Sequence, residues 1–247
     1  MLLSDTKILV SGCGITFSKQ KVKTWPNILQ LAGCAVTDVG GPAVSNQWIV
    51  NKTFLGLQQH SDIKIAVVQL TGLGKLDVEV DVEKINELVR PDPLRNFVID
   101  YDNQIKSNDQ LEISGVWPSS GSQHHESKKQ WYKWLSSPGL EREDLYCKLM
   151  LLDMFCKQCD IKFCVYQGYD IAWNQQQYAD LKSIIKNIDT SLYTLYQKSK
   201  YYQDLGLQNS SVPSLHFQLE IATAVGKELP IGVQNKIAKF KSTYEKN

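Results

Sequence analysis

The stretch Lys7 to Thr16, K-I-L-V-S-G-C-G-I-T, decides how the chain is read. Ile8, Leu9 and Val10 form an unbroken apolar run of the kind carried by a strand buried on both faces. The run breaks at Gly12 and Gly14, and a helical pattern follows over Trp25 to Ala32. Strand, glycine turn and helix in that order place the turn at the carboxyl end of a parallel strand, where open α/β sheets hold their ligands. Alone, a G-x-G after a strand is more often a plain turn than a site, so its meaning depends on the rest of the chain.

The pattern recurs. Cys34 to Val39 reads as a second apolar strand that leads into G-G-P-A-V-S-N-Q-W-I, Gly40 to Ile49, and then into a helix expected to turn Trp48, Ile49, Phe54 and Leu55 inward. Ile63 to Leu70 reads as a third strand, ending in T-G-L-G-K at Thr71 to Lys75. Near the carboxyl end, P-S-L-H at Pro213 to His216 stands before the apolar helix F-Q-L-E-I-A-T-A-V-G-K-E-L. Alternating strands and helices predict a parallel sheet with helices on both faces.

Together these runs resemble the SGNH (GDSL-like) hydrolases, most nearly a branch that reads Gly-Cys-Ser-x-Thr at its first motif. Gly12 matches the motif's glycine, Cys13 stands at the aspartate position, Gly14 takes the place of the nucleophilic serine, and Ile15 and Thr16 follow. The resemblance implies an α/β fold of three layers, α/β/α, around a mainly parallel, flavodoxin-like sheet with a long insertion. It also implies an oxyanion-binding backbone N–H at Gly41 or Ala43, a pocket shared with Gly12, Asn46 and Gly72, and His216 as general base.

The departures concern the chemistry. Gly14 has no hydroxyl with which to form an acyl-enzyme. The oxyanion asparagine expected after the third strand is missing, with Gly74 or Lys75 near its place, and Pro213 replaces the aspartate that would orient His216.

The chain has 247 residues, 43% of them hydrophobic, and a formal net charge of +1. That length suffices for one sizeable core, so residues 1–247 are expected to form a single domain with 72–139 as an insertion or lid. The charge balance argues against a general nucleic-acid binder. No run approaches the ~20 apolar residues of a membrane helix, and M-L-L-S-D-T-K lacks a secretory core, which predicts a cytoplasmic protein with no membrane partner.

Six cysteines agree with a reducing compartment. Cys156 and Cys159 form a C-x-x-C pair, yet Cys147 and Cys164 flank it at spacings unlike a zinc site, and a helix from Leu145 followed by the strand Ile161 to Tyr166 would aim Cys147 away from Cys164. Buried free thiols are expected, with no metal and no cofactor.

Within the insertion, D-V-E-V-D-V-E-K at Asp77 to Lys84 lacks the spacing of a calcium loop and reads as a strand edge or an exposed helix start. The segment Gly115 to Trp134 gathers Trp117, Trp131 and Trp134 with His124, His125, Lys128 and Lys129. Trp131 and Trp134 read as one docked face of a short helix, while Trp117, His124 and His125 are candidate substrate-binding residues. Gln175 to Asp204 carries Leu181, Ile184, Ile185, Ile188, Leu192 and Leu195 at helical intervals and reads as a long helical tract.

Two functions fit this sequence. One is a degenerate SGNH-like protein that binds a carbohydrate or a partner in the old pocket without serine esterase activity. The other is an ester hydrolase or acyltransferase on an acylated carbohydrate, with His216 as base and a replacement nucleophile at Cys13, Ser11, Thr16 or Ser45, or a water.

Overall fold

The computed structural model describes residues 6–13, 16, 24–41, 44–73, 76–80, 113–117, 137–174, 176–198 and 215–244, with only the backbone at 76–80, 113–117, 196–197 and 216. In chain order the elements are β1 (Lys7–Ser11), α1 (Trp25–Leu31), β2 (Ala35–Asp38), α2 (Asn46–Gln59), β3 (Ile65–Leu70), β4 (Leu76–Val80), β5 (Ile113–Trp117), α3 (Pro138–Gln158), β6 (Lys162–Gln167), α4 (Leu181–Ile184), α5 (Leu192–Lys198), α6 (Leu215–Gly226) and α7 (Ile231–Tyr244).

Four strands make a parallel sheet in the order β2-β1-β3-β6. Beyond β6, Ile185 forms a single parallel bridge to Val165, and the Lys186 N–H reaches the Val165 carbonyl at 2.9 Å. A rudimentary fifth strand therefore completes a flavodoxin-like order. The chain leaves β1 toward β2 and returns past it to β3, which puts the reversal of strand order between β1 and β3. Sheets of this kind receive ligands outside the carboxyl ends of those two strands.

Side-chain alternation sorts the core into two layers. Leu9, Ala66, Val68, Leu70, Phe163 and Val165 face α2, α3 and α4. Ile8, Val10, Ile65, Val67, Cys164 and Tyr166 face α1, α6 and α7. β3 is buried along its whole length, as a central strand covered on both faces must be. β4 and β5 pair antiparallel as a separate two-stranded ribbon, so Asp77 to Val80 is strand, one of the two expected outcomes.

Local chemistry sets the ends of the helices. The Asn27 side-chain oxygen accepts the Thr24 N–H at 3.1 Å where α1 begins, and the Ser45 hydroxyl accepts the Trp48 N–H at 3.1 Å where α2 begins. α1 stops at Gly33, whose φ of +98° belongs to the left-handed region that glycine enters freely, and the Cys34 N–H closes back on the Leu29 carbonyl at 3.1 Å.

Two expectations fail. The tract from Gln175 is not one long helix: it holds turns, the four-residue α4, the Ile185 bridge and then α5. Ile185 is held by a strand neighbour distant in sequence, which overrides local helical spacing. Phe54 and Leu55 do not turn inward; they lie on the outer side of α2, whose buried side is Trp48, Ile49, Thr53, Gly56 and Leu57.

Candidate functional site

Turns after successive strands are tied together at one end of the sheet. After β1, the Thr16 N–H closes on the Cys13 carbonyl at 2.8 Å. The Gly41 N–H then donates to the Gly12 carbonyl at 2.9 Å, joining the turn after β2 to the turn after β1. Asn46, the first residue of α2, exchanges two bonds with Thr71 beyond β3: its amide donates to the Thr71 carbonyl at 3.0 Å and accepts the Thr71 N–H at 2.8 Å. On the far side the Gly168 N–H reaches the Leu70 carbonyl at 2.8 Å.

Gln69 is the hub of the first turn. It is buried near the end of an otherwise apolar strand, I-A-V-V-Q-L. Its Oε1 accepts from the Thr16 hydroxyl at 2.9 Å and from the Cys13 N–H at 3.3 Å, while its Nε2 donates to the Leu70 carbonyl at 2.5 Å. The Cys13 Sγ lies 3.4 Å from Nε2 and 3.5 Å from Oε1. Glycine is required beside this hub, because a Cβ on Gly12 would overlap the Thr16 hydroxyl and sit 2.9 Å from the Gln69 Cβ.

Bonds of the same kind account for each replacement side-chain nucleophile named from the sequence. Cys13 is 1% exposed, and Ser11, Thr16 and Ser45 are equally buried. Ser11 donates to the Ile49 carbonyl at 3.2 Å, Ser45 caps α2, and the Thr16 oxygen also accepts the Trp25 ring N–H at 3.3 Å. These side chains hold turns together, and buried polar groups need such partners.

The first turn of α6 reaches the same region. Gln218, fully buried, accepts the Trp25 backbone N–H at 2.9 Å, and the Trp25 ring in turn touches Thr16. The backbone of His216 lies two residues before Gln218 on this helix.

Tyr169, after β6, packs its Cβ where a Gly72 side chain would begin, 3.7 Å away, and tilts against Tyr193 with ring centroids 5.2 Å apart. Burial, then neighbouring Cys13 and Tyr193, push its hydroxyl up to about 12, so it stays a neutral donor at ordinary pH. Asp38 ends β2 opposite Val10 and accepts the Gly40 N–H at 2.8 Å. Loss of solvation pushes its carboxyl up to about 6 against the pull of that N–H, although more than a third of the residue is exposed; the exposure limits how far the shift counts.

Gly12, Cys13, Gly41, Asn46 and Gly72 thus share one end of the sheet. Gly14, Ala43, His124 and His125 lie outside the described residues. Trp117 is placed only as backbone, paired with Leu76 in the ribbon. Sequence reasoning missed Gln69, Tyr169 and Gln218. Only Gln69 had a signal, as the one polar residue in a doubly buried strand. Among the described residues no group of three or more His, Cys, Asp or Glu is placed to hold a metal, and no helix is long and apolar enough to cross a membrane.

No family model and no curated protein matches the chain. Among solved structures it is similar to the psychrotrophic esterase EstA from Pseudoalteromonas sp., at 10% identity over 98% of this chain and 100% of that one, with a TM-score of 0.44. A protein of the G-D-S-L lipolytic family from Desulfitobacterium hafniense DCB-2 is 14% identical over 91% of this chain and 99% of that one, with a TM-score of 0.33. With TM-scores this low neither carries weight for the fold, which rests on the strand order and register above.

Proposed function

We propose that this chain is an SGNH-hydrolase-like protein that keeps the ligand position at the ends of β1 and β3, has lost serine ester hydrolysis, and binds a carbohydrate there. The observation that carries the reading is the state of the first turn. Gly14 has no hydroxyl, and the Cys13 thiol and the Ser11, Thr16 and Ser45 hydroxyls are buried and engaged with Gln69, the Ile49 carbonyl or a helix cap. Acyl transfer needs a nucleophile free to reach a carbonyl, with a base in hydrogen-bond range. Fold alone does not confer that chemistry. The paired rings of Tyr169 and Tyr193 beside Gly72 favour a sugar, because aromatic faces cover its apolar C–H surface.

The test has two arms. Purified protein is incubated with p-nitrophenyl acetate and with O-acetylated sugars, and no release above the blank is expected. Release by the wild type that disappears in His216→Ala would overturn the reading in favour of an active ester hydrolase with His216 as base. In the second arm the protein is applied to an array of acetylated and unmodified glycans. Retention that falls at least tenfold in Tyr169→Ala is expected, and an array that retains nothing would remove the binding function.

A further inference from the structure

Tyr169 and Tyr193 come from different segments, the first just after β6 and the second in the first turn of α5. Both are half-buried, and their rings lean together with planes 33° apart. Neither ring can turn far without moving the other, so the placement of α5 decides the surface they present.

Asp170 makes that placement. Its Oδ1 accepts the Ser191 N–H at 2.9 Å and its Oδ2 accepts the Thr194 hydroxyl, so one carboxylate grips the chain on both sides of Tyr193. The Tyr193 N–H itself donates to the Gly168 carbonyl at 2.9 Å. Ser191 Oγ accepts the Thr194 N–H at 3.1 Å, which caps α5 and keeps the two gripped residues in register.

The carboxylate is exposed, unlike the buried amides of Gln69 and Gln167. An exposed acceptor contributes little to folding, because water takes over its bonds when it is removed. The Thr194 hydroxyl, first among its neighbours, holds the Asp170 carboxyl below the ordinary carboxylate range, so at neutral pH it is an anion that only accepts. What the bonds do achieve is local: they fix the residues that bracket one ring of the pair.

We propose that Asp170 is a positioning residue of the ligand site: by holding Ser191 and Thr194 it fixes Tyr193 against Tyr169 and so sets the aromatic surface beside Gly72. The inference rests on the carbohydrate reading above only for what that surface meets, since the positioning belongs to the free protein. A surface set before the ligand arrives spares the ordering of two rings on binding, and that saving passes into affinity.

Near-ultraviolet circular dichroism of the full chain reads the positioning without any ligand. The contribution of Tyr193 is the difference between a protein and its Tyr193→Phe form, since phenylalanine keeps the ring but loses the tyrosine band. That contribution is expected to shrink at least twofold in Asp170→Ala, with the far-ultraviolet spectrum unchanged. It should persist in Asp170→Asn, whose amide still accepts the Ser191 N–H and donates to the Thr194 oxygen. Thr194→Val, which removes the hydroxyl from the other side of the grip, should reproduce the loss. On an array of acetylated and unmodified glycans, retention of Asp170→Ala should fall at least fivefold below the wild type. A Tyr193 contribution that is the same in Asp170→Ala, Thr194→Val and the wild type would overturn the proposal, whatever the array shows. A lost contribution with unchanged retention would overturn the part that the pair plays in the site. An array that retains nothing, beside a lost contribution, would remove the carbohydrate reading and leave Asp170 as the residue that sets the rings.

Discussion

Two glutamines near the ends of neighbouring strands, Gln69 on β3 and Gln167 on β6, are each 1% exposed yet serve opposite layers of the molecule. Gln69 points toward the α1 and α6 face and binds the Cys13 N–H and the Thr16 hydroxyl. Gln167 points toward the α3 and α4 face, donates to the Asn187 and Ile188 carbonyls at 3.1 and 2.8 Å, and accepts the Trp173 ring N–H at 3.0 Å and the Ile171 N–H at 3.3 Å. Asn187 answers by accepting the Gln167 N–H at 2.7 Å and donating to its carbonyl at 3.0 Å. The Gln167 amide draws together the loop between Ile171 and Ile188, and the Gln69 amide holds the turn after β1 through the Cys13 N–H and the Thr16 hydroxyl. An amide buried at a strand end thus fastens the turns around it.

Gly168 stands between the two networks and offers the most severe way to break both. An alanine Cβ there would run into the Gln69 amide and lie 2.5 Å from the Leu70 carbonyl, so Gly168→Ala is expected to destabilise by about 4 kcal/mol, read as a lowered denaturation midpoint. Gln167→Leu comes next, at about 3 kcal/mol, because it leaves two N–H groups and two carbonyls buried without these partners. Gln69→Leu is expected to be milder, about 2 kcal/mol, with fewer groups orphaned. A second reading sharpens the contrast: Gln69→Leu should speed alkylation of Cys13 by iodoacetamide under native conditions, and Gln167→Leu should not. Equal labelling in the two variants would show that Gln69 does not guard the turn.

The smallest expected effect lies at Asp38. Its folded value of about 6 stands above the ordinary 3.8, so the native chain retains a proton that the unfolded chain gives up. Stability therefore declines as the pH rises from about 4 to about 6. Asp38→Asn, which can still accept the Gly40 N–H, should remove that decline and be the more stable form at neutral pH. Because the residue is more than a third exposed, solvent screening keeps the gain below about 1 kcal/mol, measurable as a difference between two pH profiles of the thermal midpoint.

Much of this layout was legible in the chain. Apolar runs reported β1 and β3 within a residue or two, since a strand covered on both faces can carry little else. The edge strand β2, which is partly exposed and ends in Thr37 and Asp38, was legible to the same precision from its place before the next glycine turn. Gly12 was legible as a turn, but the reason for glycine there, the crowding of Thr16 and Gln69 where a Cβ would go, was not. The thiols divided as expected in part. Cys34, Cys156 and Cys164 are buried and pushed up to about 11, 12 and 11, chiefly by lost solvation, whereas Cys147 and Cys159 are exposed. The outward position of Phe54 and Leu55 was not legible, because an apolar side chain carries no mark of which surface it meets.

By itself the sequence determined the alternation of strands and helices, the glycine turn after β1 and the missing hydroxyl at Gly14. These are local properties, set by side-chain period, backbone freedom and atomic composition. Only the tertiary structure decided that Ile185 would join the sheet, that Gln69 would occupy Cys13 and Thr16, and that α3 would carry apolar residues on its outer side. Each of these depends on which distant segment arrives as neighbour, and a hydrogen bond or a buried face exists only once that neighbour is in place.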